Sequence, residues 1–131
     1  MENEFVKELL ETIKTRQLVT MLVVFMTDFF SGVVGSKIQG ETIESKKWIN
    51  GLLRKSQIFL MIFCIGLVTT LLHYPLLYEC FFWLFLLGEV KSIFENAIKM
   101  NIPFAKEISN IIDNFTAHLL KKISAYAEKL K

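Results

Sequence analysis

The sequence predicts an all-α integral membrane protein with about three transmembrane helices and a C-terminal amphipathic helix. Three observations lead there. The chain has 131 residues and is 53% apolar, with a mean hydropathy of +0.43, and the apolar residues fall in blocks instead of being spread through one core. Ile58–Tyr78, "IFLMIFCIGLVTTLLHYPLLY", runs without Asp, Glu, Lys or Arg, and a run of that length matches a hydrocarbon layer about 30 Å thick. A chain this short has too little protein to bury such a helix on all sides.

In chain order, residues 1–17 form an acidic N-terminal amphipathic segment, with Phe5, Leu9 and Ile13 at helical spacing. A membrane domain at 18–100 follows, with helices at about 18–35, 58–78 and 80–100 and a basic linker at 36–57. Its first helix, "LVTMLVVFMTDFFSGVV" (18–34), carries one charge, Asp28. A lone aspartate at such a place is a functional candidate; a break between two half-helices with Asp28 as the cap is the simpler alternative. The acidic lead-in and the missing cleavage pattern argue against a cleaved signal peptide. In the linker, Lys46, Lys47, Arg54 and Lys55 alternate with Ile43, Trp48, Ile49, Leu52 and Leu53, as expected of a segment on an anionic membrane surface.

Pro75 near the end of the second block marks a termination or kink, and His73 beside it reads as an interfacial anchor. "FFWLFLL" (81–87) opens the third helix almost at once, giving a tight antiparallel hairpin with Tyr74, Tyr78 and Trp83 as an interfacial aromatic belt. Beyond it, Glu89, Ser92, Asn96 and Lys99 share one helix stripe. Together with Asp28 and Glu95, these polar groups define a candidate oligomer or pore seam: Asp28, Glu89, Ser92, Glu95 and Asn96. Residues 101–131 form the C-terminal amphipathic helix, with Ile108, Ile111, Ile112, Phe115, Leu119, Ile123 and Tyr126 at three/four spacing. The distribution of Lys and Arg places linker and C-terminus in the cytoplasm and the N-terminus outside.

Several functions are set aside. A net charge of +2 without exposed aromatics among the basic residues does not suit nucleic acid. Cys64 and Cys80 sit in apolar runs and read as free thiols. No phosphate-binding loop, metal-ligand spacing or nucleophile–base set occurs, so neither enzyme activity nor a cofactor is expected.

"MTDFFSGVV" (26–34), "SKKWINGLLRK" (45–55) and "LGEVKSIFENAIKMNIPFAKEI" (87–108) resemble the phage holins of the toxin-secretion/phage-lysis type. The third segment carries the most specific motif, through Glu89, Ser92, Ile93, Glu95, Asn96 and Pro103. Asn101 and Ala105 depart from the glycine and second proline usual there. The resemblance implies a multi-pass protein of the bacterial host inner membrane. Such a protein self-associates as a homo-oligomer and permeabilises the bilayer for a co-expressed endolysin or toxin. Read without that resemblance, the residues fit equally a non-lytic oligomeric membrane scaffold or accessory subunit, or a narrow ion channel.

Overall fold

A computed structural model describes residues 2–131. The chain is helical almost throughout: α1 (Glu2–Thr12), α2 (Thr15–Ile38), α3 (Ser45–Leu71), α4 (Pro75–Lys99) and α5 (Ala105–Lys129). α2 and α3 are long and apolar enough to cross a membrane. α4, with Glu79, Glu89, Lys91 and Glu95 along it, is equally long but more highly charged.

Three element boundaries differ from the sequence expectation. The 36–57 linker is not one surface segment, because residues 45–57 form the first half of α3, continuous with the apolar run after them. The second and third helices meet at residues 72–74, not near Tyr78. Pro75 therefore opens α4 at its first turn, where its missing N–H costs no hydrogen bond and its fixed φ suits a helix start. His73 takes the left-handed conformation at this corner (φ 56°), and its Nδ1 lies 3.0 Å from Glu8 Oε1 on α1. Finally, α2 runs unbroken through Asp28, so that residue caps no half-helix.

α4 is the central element, packing against α2, α3 and α5. The core joins Met21 and Phe25 of α2, Ile62 of α3, and Tyr78, Phe82 and Leu86 of α4, with Ile13 between α1 and α2 closing one end. Phe25 meets Phe59 edge-on at 4.9 Å, a favoured aromatic geometry. Lys14 and Gln17 reach Glu79 at 3.1 and 2.7 Å, which sets the starts of α2 and α4 at one level. From Gln17 to Lys37, and from Glu79 to Lys99, each helix rises about 30 Å, the thickness of a hydrocarbon core.

The outer faces of α2 and α3 are largely apolar. Val19, Leu22, Val23, Met26, Phe30 and Val34 form an exposed stripe along α2, and Ile49, Leu52, Leu53, Leu60 and Val68 are exposed on α3. The total accessible surface is 9265 Å², against about 7,100 Å² for a compact soluble monomer of this mass. The many large hydrophobic side chains in that exposed surface belong against lipid or other helices.

Gly66 lets α1 seat on α3. A Cβ there would stand 2.6 Å from Ile13 Cδ1 and 2.7 Å from its Cγ1, closer than atoms approach without one moving. Gly66→Val is expected to displace Ile13 and loosen α1 at a cost of about 1–3 kcal/mol. Limited trypsin digestion at Lys7 and Lys14 reads this out; cleavage no faster than in the parent would show that α1 does not depend on the contact.

After α4 the chain turns through Asn101 and Phe104, both left-handed (φ 56° and 65°). α5 then returns antiparallel along α4: Lys91 Nζ meets Asp113 Oδ1 at 2.6 Å, and the rings of Tyr74 and Tyr126 lie 6.3 Å apart. Ala105, Ser109 and Ile112 are buried in this contact.

Candidate functional site

The bundle has an ionic centre. Lys55 of α3 points inward between α2 and α4, its Nζ donating to Asp28 Oδ2 at 2.6 Å and also to Glu89 Oε2. All three residues are buried, at 6–7% exposure. The Lys55 ammonium also lies 5.1 Å from the centre of the Phe25 ring, a favourable cation–π placement. Asn96, two turns beyond Glu89 on α4, donates to Asp28 Oδ1 at 3.2 Å and to Ser31 Oγ at 3.0 Å. Ser31 in turn donates to the Asp28 carbonyl at 2.9 Å. The polar groups of three helices are thus satisfied by one another.

The cluster lies deep. Asp28 is about 17 Å along α2 from Gln17, and Glu89 about 15 Å along α4 from Glu79. Each is near the middle of its helix and buried, where an unpaired charge is costly. Pairing in a low-dielectric interior offsets that desolvation only when hydrogen bonds complete the geometry, and Asn96 and Phe25 supply the additional contacts. Two carboxylates against one ammonium give the centre a formal charge of −1 when all are ionised.

Of the five seam candidates, Asp28, Glu89 and Asn96 meet in this cluster, within a single chain. Ser92 is half-buried outside it, and Glu95 is exposed, 3.8 Å from Lys91. Asp28 and Glu89 thus find their cation, Lys55, within one chain, and Asn96 finds its acceptors on α2. The surface assignment of Lys55 is corrected accordingly. Lys46, Lys47 and Arg54 are exposed, and Lys47 lies 3.6 Å from Glu41. A signal for Lys55 was present: it shares a helical stripe with Ile62, Gly66 and Thr69, all buried, at spacings of seven, four and three.

Above the cluster, on the side of the α2–α3 connection, a pocket of about 450 Å³ opens between α2, α3 and α4. Lys47, Trp48, Arg54 and Lys99 line it, and Asp28, Lys55 and Asn96 border it as well. The ionic centre therefore adjoins a cavity that is mostly basic at its mouth. Cys64 and Cys80 are free thiols on other surfaces. Among the described residues no group of His, Cys, Asp and Glu suits a metal ion.

An all-α chain with two membrane-capable helices, largely apolar on their outer faces, and a buried ionic centre defines a small helical membrane protein. The family model for the bacteriophage holin family matches residues 6–117, from α1 into α5. The chain belongs to that family, and is a holin-type membrane protein. No curated protein and no solved structure matches it.

Proposed function

We propose that this holin crosses the bacterial inner membrane several times, assembles with its own copies and permeabilises the bilayer for a cell-wall hydrolase or toxin. The observation that carries this reading is the placement of α5. One side of it rests on α4 through Ala105, Ser109 and Ile112, with Ile111 and Phe115 left exposed beside that contact, and α4 has the length of a membrane crossing. Its other side, with Asn110, Asn114 and Lys121, is exposed. A helix held at membrane depth cannot turn such a face to lipid without a large cost. Water satisfies it, and a ring of copies with α5 innermost provides that water. The apolar stripes of α2 and α3 then meet lipid or neighbouring copies, where association in a bilayer draws on packing and interhelical hydrogen bonds.

This reading gives α2, α3, α4 and α5 one crossing each. It sets the C-terminus on the side of the α3–α4 corner, opposite the α2–α3 connection and opposite the side expected from Lys and Arg counts. In a chain with Cys64 and Cys80 replaced by alanine, single cysteines at Lys131, His73 and Lys47 report sidedness to an impermeant thiol reagent. Spheroplasts are labelled before any cytosolic enzyme escapes. Lys131 and His73 should label together and Lys47 should not. If the Lys131 position follows Lys47, α5 does not cross and the lumen assignment fails. Release of a cytosolic enzyme after induction tests permeabilisation itself; its absence favours the non-lytic scaffold.

A further inference from the structure

We propose that the basic pocket between α2, α3 and α4 binds a phosphate-bearing anion, the headgroup of an acidic phospholipid in the leaflet that faces the α2–α3 connection. The pocket's charges do not balance internally. Lys55 is taken by Asp28 and Glu89, and Lys47 has Glu41. Arg54 of α3 and Lys99 of α4 form no ion pair among the described residues, yet both line the one cavity. Arg54 stands about 9 Å further into the bundle than Trp48, at 1.5 Å per residue. Its guanidinium is exposed along the wall of that cavity, without an acidic partner among the described residues, and is open to an anion that enters there.

The form of the pocket agrees. Its volume, about 450 Å³, falls within the roughly 300–1,000 Å³ of small-ligand sites. Arg54 offers a planar fork suited to two phosphate oxygens; Lys99 adds a point charge from a second helix. The Asn50 amide, also in the lining, suits a glycerol hydroxyl, and Trp48 at the mouth suits the headgroup level. Basic pockets between transmembrane helices are a recurrent form of headgroup recognition. A lipid held there would join α3 to α4 directly above the ionic centre, independently of any pore.

The test uses the full chain in neutral detergent, with Trp83→Phe so that Trp48 alone reports by fluorescence. Short-chain phosphatidylglycerol, short-chain phosphatidylcholine and inorganic phosphate are titrated separately. Phosphatidylglycerol should give a saturable change and phosphatidylcholine none. Saturation by inorganic phosphate at equal concentration would leave a phosphate site but remove the lipid from the proposal. Arg54→Gln with Lys99→Gln should weaken phosphatidylglycerol binding at least tenfold, while Lys121→Gln with Lys122→Gln, the same charge change on α5, should not. Gly51→Glu provides an independent check, since no atom lies within 4 Å of a Cβ there and the added carboxylate would compete for Arg54; it should abolish binding without loss of helix. Parent-like binding by the Arg54/Lys99 variant or by Gly51→Glu overturns the site. Equal loss in the α5 control shows only diffuse attraction to a basic protein and overturns it as well.

Discussion

Lys55→Met should destabilise the bundle by about 3–5 kcal/mol, the usual consequence of removing one partner from a buried ion pair. Methionine fills much of the same volume, so the loss is electrostatic and not a cavity. Asp28 and Glu89 would then be two carboxylates buried inside the bundle without a cation, with only the Asn96 amide to offset Asp28. The chain would have to protonate them, admit water, or part α3 from α2 and α4. Unfolding in mixed detergent, followed by helix content, measures the loss, and the membrane-inserted fraction after induction gives its cellular counterpart. Asp28→Asn and Glu89→Gln added to Lys55→Met remove both orphaned charges and should restore most of the stability, since neutral replacement of a whole buried ionic group is often tolerated. A single Lys55→Met variant as stable as the parent would show that the three helices are held by their apolar contacts alone.

How much of this centre could be read in the sequence depended on whether each residue's surroundings were themselves readable. Asp28 and Glu89 stand out because their neighbours are apolar, and a charge in such a run has to be explained. Lys55 does not stand out, because Arg54 precedes it and Lys46 and Lys47 lie a few residues earlier. Its inward direction follows only once α3 is known to begin at Ser45, and the polar run 45–57 hid that start. The same segment obscured the helix corner. Ile58–Tyr78 is uniformly apolar, so periodicity alone gives no boundary within it, although Pro75 as a first-turn residue was a usable sign. The docking of α5 on α4 was less legible still. Its amphipathic stripe shows that one face is covered, but the cover is set by the left-handed turn at Asn101 and Phe104, where the residues are neither glycine nor unusual for a loop.

Replacing Asn110, Asn114 and Lys121 together by leucine should abolish leakage while increasing membrane insertion. On α5 these residues lie on the face turned away from Ala105, Ser109 and Ile112, so they can be changed without touching the α4 contact. In the lumen reading they are wetted, and leucine would dewet the path or turn the face to lipid. The lysine change alone favours insertion of a membrane helix by about 3 kcal/mol, so the variant should accumulate in the membrane at least as well as the parent. Retained insertion and oligomer size with lost release of a cytosolic enzyme would separate the lining of a path from folding. Lys106→Leu, at the start of the helix by the α4–α5 turn, serves as the control for added apolarity and should leave release nearly intact. Should the triple variant release the enzyme with the parent's timing, the polar face of α5 does not line the path. The water-bearing surface would then have to come from α2, α3 or α4, and it could form only by opening the Asp28–Lys55–Glu89 centre.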